Sequence, residues 1–202
     1  MKRMSVYTLV ISPDERIVGL VRTLKKRLQQ QLGRNYGSVN SAAHMTLILF
    51  LAHDENYPLI LAEFKRVLAG LAPFQVALSG FGEFADRPEC VFYIQPDDDS
   101  VDIILERCKE MGTNFSKFLR RTHTDKWDIV GRKKPHMSVA RSLTKSELDV
   151  CKELLNEDFV AEFQCNAFAI RKLNEEKGQY EIVDIIPLLG HEYMAGQQMR
   201  LF

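Results

Sequence analysis

The sequence predicts an α+β fold built from a duplicated unit, and two observations lead to this expectation. Apolar runs with strand character alternate with amphipathic helical stretches along almost the whole chain. The order strand, helix, strand, helix, strand occurs twice, over approximate halves 4–88 and 89–189, before a tail at 190–202 that has no usable pattern. We therefore expect a single domain over 1–202 with two lobes related by a pseudo-two-fold axis.

The first half begins with a strand at 6–11, followed by a helix with clear start signals. Ser12 is the expected N-cap, Pro13 suits the first helical position, and Glu15 completes a capping box. Apolar residues at helical spacing extend this helix until glycines at 33 and 37 end it. The remaining elements are a strand from His44 to about 51, a helix over about 57–71 and a strand at 74–78.

The second half repeats this order. A loop over 80–88 separates the halves, and polar, irregular sequence fills 122–135. Thr144 and Glu147 form a second capping box, which opens a helix to about 155. The other expected elements are a strand at 90–95, a helix over about 101–119, a strand that begins near His136, and strands over 159–173 and 179–188.

The same tetrapeptide pattern occurs once in each half, as His44-Met45-Thr46-Leu47 and as His136-Met137-Ser138-Val139. Alternate residues of a strand point to the same face, so each histidine has a hydroxyl residue beside it and apolar residues behind it. A pseudo-two-fold axis lets two such motifs, about ninety residues apart, meet in one cleft.

Two imidazoles and two hydroxyls are suited to chemistry on a phosphodiester without a metal. One imidazole removes a proton, the other supplies one, and the hydroxyls hold phosphate oxygens. The competing interpretation is that both histidines are satisfied core residues. No H-E-x-x-H motif or similar ligand spacing is present, so we expect no metal site and no cofactor.

Composition and charge limit the classes of binding partner and the expected location. Lysine plus arginine equals aspartate plus glutamate at 27 each, and this zero net charge argues against a general duplex-DNA binder. None of the four cysteines forms a C-x-x-C pair, which favours buried, reduced thiols. The apolar run near the N-terminus is too short for a signal peptide or membrane span, so the expected location is the cytoplasm.

A basic segment precedes the second motif. Residues 120–141 contain seven lysines or arginines and two acidic residues, and Lys133 and Lys134 lie just before His136. This concentration predicts a rim that binds substrate phosphates, although a solvated loop is the alternative. Trp127 in this segment either stacks on a base or anchors the loop to the core.

The two H-x-[ST]-hydrophobic motifs in a duplicated α+β chain of about 200 residues resemble the 2H phosphoesterase superfamily, which includes 2′-5′ RNA ligase-like proteins and cyclic nucleotide phosphodiesterases. The resemblance covers about residues 4–189. It implies two lobes whose antiparallel sheets face each other across a central groove, with both motifs on the groove floor.

The resemblance also implies roles for individual residues. His44 and His136 become the catalytic pair, with His136 favoured as the base and His44 as the acid, and Thr46 and Ser138 bind phosphate oxygens. Arg141 occupies a position near the phosphate in many ligase-like members, although simple alternation places it on the face opposite His136. Tyr7 aligns with a strand that lines the groove and is a candidate for stacking on a base.

The implied activity is a metal-independent phosphoesterase acting on 2′,3′-cyclic phosphate ends of RNA or nucleotides, with reversible 2′-5′ RNA ligation as a further activity of the family. The partner is then an RNA end or a small nucleotide. The alternative is a non-catalytic nucleotide- or RNA-binding module on the same fold. The choice between hydrolysis and ligation and the oligomeric state are left open.

Overall fold

The computed structural model describes residues 4–86, 88–132 and 134–191. The predicted tail at 190–202 therefore falls almost entirely outside the described residues, as does Lys133. The strands are β1 (Met4–Ile11), β2 (Met45–His53), β3 (Phe74–Phe84), β4 (Cys90–Pro96), β5 (Lys126–Asp128), β6 (Met137–Leu143), β7 (Val160–Cys165), β8 (Ala167–Asn174) and β9 (Gln179–Pro187). The helices are α1 (Glu15–Leu32), α2 (Tyr57–Ala69), α3 (Asp98–Asn114), α4 (Lys117–His123) and α5 (Lys145–Leu154).

All strand pairings are antiparallel, and the sheet order is β7-β3-β4-β6-β2-β1-β8-β9, with β5 added beside β2. Strands β2 and β6 at the centre of this order pair only at Met45 and Met137. The single pairing joins two four-stranded blocks, which are the two lobes. The predicted α+β fold with two pseudo-symmetric lobes is confirmed.

The lobes do not coincide with the two halves of the sequence. Strand β3 comes from the first half but pairs with β4, and β8 comes from the second half but pairs with β1. The strands near Phe74 and Phe163, which the repeat equates, instead pair with each other as β3 and β7. By position in the sheet, the counterpart of β3 is β8. The first half thus contributes β3 to the other lobe, and the second half contributes β5, β8 and β9 to the first.

Helix ends follow local capping, with one change from the prediction. Asp14, and not Ser12, caps α1, because its side chain accepts a hydrogen bond from the backbone nitrogen of Ile17. Gly33 ends the same helix in the left-handed conformation, where glycine has no Cβ penalty. The capping box of Thr144 and Glu147 is confirmed at the start of α5.

Two stretches differ from the predicted elements. The helix expected over 101–119 divides into α3 and α4, because Phe115 is buried in the core in an extended conformation and Ser116 caps a new helix. The loop expected at 80–88 is largely strand, since β3 continues to Phe84 against β4. In both cases a tertiary contact overrides the local signal.

The core lies between the helices and the sheet. Met45 and Met137 are fully buried on this side, at 0% exposure each. All four cysteines are buried and free, as predicted, and burial raises the pKa of the Cys108 thiol to about 12.

Candidate functional site

The pairing of Met45 with Met137 sets the geometry of the two motifs. In an antiparallel pair, the residue before a paired position on one strand lies across from the residue after it on the other strand. His44 therefore lies across from Ser138, and Thr46 lies across from His136. All four side chains are partly exposed, while the two methionines between them are buried on the opposite face. The structure therefore brings both motifs together in one square of side chains.

A bulge in each lobe follows the motif. In β6 the pairing moves from Ser138 opposite Tyr93 to Ala140 opposite Phe92, so one extra residue is inserted and both Val139 and Ala140 are buried. The insertion reverses the alternation and returns Arg141 to the face of His136. This resolves the position of Arg141, which simple alternation places on the wrong face. The guanidinium is near enough to His44 to lower the pKa of that imidazole.

The first motif has an equivalent bulge. Its pairing moves from Val10 opposite Thr46 to Leu9 opposite Ile48, and Leu47 and Ile48 are both buried. Leu49 therefore occupies the position in this lobe that Arg141 occupies in the other.

Two contacts converge on the Nδ1 atom of His44. The carbonyl oxygen of Ala42 lies 2.7 Å from it, and the Nη1 atom of Arg171 lies 2.8 Å from it. Desolvation of the ring and then the charge of Arg171 lower the pKa of His44 to about 3, with smaller contributions from Lys25 and Arg141. The imidazole is therefore neutral at physiological pH, even though the residue keeps part of its surface exposed.

His136 makes the same backbone contact in a different environment. Its Nδ1 atom lies 2.8 Å from the carbonyl oxygen of Lys134. Its ring lies 5.1 Å from the ring of Phe84 and 5.0 Å from that of Tyr93. The Nζ atom of Lys134 lies over the same two rings, at 5.6 and 5.3 Å from their centres. Lys134 is thus beside the second motif, and its predicted contact with substrate stays a prediction.

A buried lysine holds the loop that precedes His44. Lys25 projects from α1, is 2% exposed, and donates to the carbonyl oxygens of Ser38 and Ser41 at 2.7 Å each. Burial and the charge of Arg171 lower the pKa of Lys25 to about 8. The hydroxyl of Ser38 donates to the carbonyl oxygen of Val139, which ties the loop to the other lobe. This bracing fixes the carbonyl of Ala42 against His44.

Tyr7 lies elsewhere than predicted. It is 1% exposed, stacks with Phe50 and Tyr57 at 5.2 and 4.8 Å, and donates from its hydroxyl to Asp54. A nucleobase cannot reach a ring packed in this way, so Tyr7 belongs to the core. The groove-lining role is corrected because residue 7 falls on the helix-facing side of β1.

The basic segment is only partly described. Trp127 stacks on Phe64 at 5.6 Å and lies 5.7 Å from Phe50, so it anchors β5 to the core rather than offering a free face to a base. Lys133 lies outside the described residues, and its predicted contact with substrate stays a prediction.

Three residues of the site belong to no sequence motif and were not predicted. Arg171 is the single basic residue inside the buried part of β8, Lys25 occupies a core-facing position of α1, and Phe84 is the last residue of the glycine-containing strand β3. A charge among buried positions is the signal that identifies the first two. Phe84 has no local signal, since its contact with His136 depends on the pairing of β3 with β4.

Among the described residues, no group of three or more histidine, cysteine or acidic side chains is arranged to hold a metal ion. The charged neighbours of His44 are cations, and the hydroxyls of Thr46 and Ser138 complete the same face. Such a surface is suited to a phosphate.

The comparisons agree with this geometry. The family model of the 2′-5′ RNA ligase superfamily matches residues 12–177. The chain belongs to this superfamily. The resemblance to the 2H phosphoesterases is confirmed, and the chain is a member of a group of phosphoesterases and RNA ligase-like enzymes. Among curated proteins, none matches the chain.

Several solved structures share the fold. TT0787 of Thermus thermophilus is 18% identical, with a TM-score of 0.60 over 92% of this chain and 99% of that protein. E. coli LigT in complex with 3′-AMP is 12% identical, with a TM-score of 0.61 over 92% and 99%. Kluyveromyces marxianus Usb1 is 13% identical, with a TM-score of 0.52 over 91% and 98%. At these identities the likeness shows the fold. No helix in the described part of the chain is long and apolar enough to cross a membrane.

Proposed function

We propose that the protein is a metal-independent phosphoesterase that opens 2′,3′-cyclic phosphate ends of RNA or nucleotides. The observation that supports this proposal is the register of β2 and β6, which brings the two histidines and the two hydroxyl residues of the motifs to one face of the sheet. Membership of the 2′-5′ RNA ligase superfamily supports the same chemistry.

We assign the base to His44 and the acid to His136, the reverse of what the resemblance implies. A base must be neutral, and desolvation together with Arg171 keeps His44 in that form. With the Nδ1 proton donated to Ala42, the Nε2 lone pair of His44 faces the groove. His136 bonds a carbonyl through Nδ1 in the same way, and its second nitrogen is then oriented to deliver a proton.

The reaction balances with these two groups. Nε2 of His44 takes a proton from water as the water oxygen bonds to phosphorus. The bond from phosphorus to one ribose oxygen breaks, and that oxygen takes a proton from His136. The product is a phosphomonoester beside a free ribose hydroxyl. With a 5′-hydroxyl in place of water the same groups keep their roles. His44 takes the proton of the 5′-hydroxyl as its oxygen bonds to phosphorus, the bond from phosphorus to the ribose 3′-oxygen breaks, that oxygen takes a proton from His136, and a 2′-5′ linkage remains.

The charge that develops on the phosphate requires stabilisation. The hydroxyls of Thr46 and Ser138 lie on the same face as the histidines and are placed to donate to non-bridging oxygens. Arg141 adds a positive charge from the same side of β6. These three residues perform the phosphate-binding role, and no step needs a metal ion.

The nucleoside is expected beside the second motif. Phe84 and the aliphatic stem of Lys134 border His136 and offer an apolar surface next to a positive charge. The structure of E. coli LigT with 3′-AMP supports a nucleotide-sized ligand on this fold. The buried, unpaired cysteines fit the reducing cytoplasm, which stays the predicted location.

The test is turnover of adenosine 2′,3′-cyclic phosphate and of a cyclic-phosphate oligonucleotide in excess EDTA. Replacing His44 or His136 with alanine should reduce turnover by about 10²-fold or more, as for loss of a general base or acid. His123→Ala is the matched control, since His123 lies on α4 outside the paired motifs. Unchanged turnover in either catalytic variant, or loss of activity in EDTA, would contradict the proposal. Nucleotide binding without turnover would favour the non-catalytic module.

A further inference from the structure

Arg171 is a buried cation without a carboxylate partner among the described residues. It is 5% exposed, and its Nη2 atom donates to the carbonyl oxygen of Tyr180 at 2.8 Å. Its Nε atom is buried and has no hydrogen-bond partner. An ionised group in this state is costly unless a counter-charge arrives, and a guanidinium keeps its proton under all physiological conditions.

The contact with His44 does not compensate the buried charge of Arg171. Nδ1 of His44 cannot donate a proton to Ala42 and accept one from Arg171 at the same time. One of these two hydrogen bonds must be given up. The contact with Ala42 is the one that leaves the Nε2 lone pair facing the groove, so catalysis requires Arg171 to have another acceptor.

The charged groups around His44 all carry the same sign. Lys25 reaches it from α1, Arg141 from β6 and Arg171 from β8. The ring of Tyr180 on β9 lies against Arg171, with its centre 6.0 Å from the guanidinium carbon. Three cations around one neutral imidazole form a site that lacks an anion.

We propose that Arg171 binds the scissile phosphate of the substrate, and that this transfer of its hydrogen bond releases Nδ1 of His44 to Ala42. The inference rests on the proposed function and adds a specific phosphate-binding residue to it. Arg171 contributes charge from the first lobe, opposite the contribution of Arg141 from the second. Phosphate binding and the correct orientation of the base are thereby coupled through one side chain.

The pseudo-symmetry of the sheet shows that the residue equivalent to Arg171 in the other lobe is not a cation. Thr46 pairs with Val10, which pairs with Ala169, and Ser138 pairs with Tyr93, which pairs with Gly82. Two residues further along the outer strands lie Arg171 in one lobe and Phe84 in the other. Each contacts the histidine of its own lobe. Residues 171 and 84 are therefore equivalent positions, each next to the histidine of its lobe. The one beside His44 is a cation, and the one beside His136 is an aromatic ring.

The test measures phosphate binding separately from turnover. Arg171→Met removes the charge at similar length, and Arg171→Lys keeps a charge. Lys172→Met is the matched control, because Lys172 is the next residue of β8 and is paired with Asp54. Binding of inorganic phosphate and of adenosine 2′-monophosphate is followed by calorimetry and by the rise in melting temperature that each ligand produces.

We expect Arg171→Met to bind both ligands at least tenfold more weakly, Arg171→Lys to recover part of this loss, and Lys172→Met to stay within twofold of the wild type. The melting temperature of ligand-free Arg171→Met should equal or exceed that of the wild type, because an uncompensated buried charge is removed. A stable Arg171→Met that binds phosphate within twofold of the wild type overturns the inference, as does a wild type that binds neither ligand. If Arg171→Met does not fold, Arg171→Gln is measured under the same criteria.

The outcomes also separate this inference from the proposed function. Full turnover of the cyclic phosphate by Arg171→Met, with loss in His44→Ala, contradicts the role of Arg171 and leaves the enzyme assignment intact. Binding of phosphate that depends on Arg171, without turnover by the wild type, supports the site and contradicts the enzyme assignment.

Discussion

The two lobes place their histidines on the same backbone framework and surround them with different side chains. In each lobe the imidazole Nδ1 contacts the carbonyl two residues earlier, and a bulge follows the hydroxyl residue. The neighbours then diverge. Arg171 approaches His44 where Phe84 approaches His136, and Leu49 stands where the other lobe has Arg141.

This difference shows how a fold with two equivalent lobes can surround equivalent histidines with unlike environments. The shared backbone supplies the geometry, in which the two motifs lie side by side on one face of the sheet. The unlike neighbours give the two imidazoles different environments. Desolvation and then the charge of Arg171 lower the pKa of His44, while the rings of Phe84 and Tyr93 border His136. The assignment of base and acid therefore depends on side chains outside both motifs.

The sharpest way to test this difference is a substrate that needs no general acid. A 4-nitrophenyl phosphodiester releases a stable phenolate, so His136→Ala should recover most of its loss of about 10²-fold or more on this substrate. His44→Ala should remain inactive on both substrates, because attack by water still requires a base. Steady-state kinetics of both variants on both substrates measure this pattern. Recovery in His44→Ala instead would reverse the assigned roles.

The joint between the lobes should be the part of the site most sensitive to core changes. Met45 and Met137 are fully buried and form the one residue pairing between β2 and β6. Met45→Ala and Met137→Ala should each lower the free energy of unfolding by about 2–5 kcal/mol through lost burial and a cavity. Chemical denaturation provides the measurement. Met4→Ala, at a residue that is 40% exposed, is the control and should change it little.

The pH dependence should separate the two histidines further. Because the pKa of His44 is lowered to about 3, this base stays neutral as the pH falls through 6.5, and the acidic limb of kcat/KM should lie well below that value. In Arg171→Met the imidazolium loses a repulsive neighbour, so the pKa of His44 rises and the limb moves towards 6.5. Profiles of kcat/KM from pH 4 to 8 measure both positions. An acidic limb near 6.5 in the wild type, unmoved by the variant, would contradict this account.

The smallest expected effect is that of a substitution at Gly82, the residue equivalent to Ala169 of the other lobe. A Cβ atom at Gly82 would lie 2.5 Å from the ring of Tyr93, so Gly82→Ala should displace that ring from His136 and cost about 1–3 kcal/mol of stability. Gly19→Ala is the control, since nothing lies within 4 Å of an added Cβ in this helix interior, and it should stabilise by about 0.5–1 kcal/mol. Thermal unfolding with parallel kinetics tests both. Unchanged stability and kcat/KM in Gly82→Ala would remove Tyr93 from the support of His136.

Local patterns in the sequence were sufficient to predict much of the fold and the two motifs that meet at the centre of the candidate site. The two motifs lie at strand starts, the capping box at Thr144 is formed, and Gly33 ends α1, because each depends on residues within a few positions of one another. The duplication correctly predicted two lobes that meet at the motifs. The helix starts two residues later than predicted, because the side chain of Asp14 and not that of Ser12 accepts the capping hydrogen bond.

Contacts between distant strands were decided only by the tertiary structure. The exchange of β3 and β8 between lobes, the burial of Tyr7 and the return of Arg141 to the groove face depend on pairing partners and bulges that no short pattern encodes. The approach of Arg171 to His44, across 127 positions of sequence, has the same origin. The sequence by itself predicted the two histidine motifs and the residues proposed to do the chemistry. The packing of the two lobes decided the charges around each histidine, because electrostatic environment depends on neighbours in space.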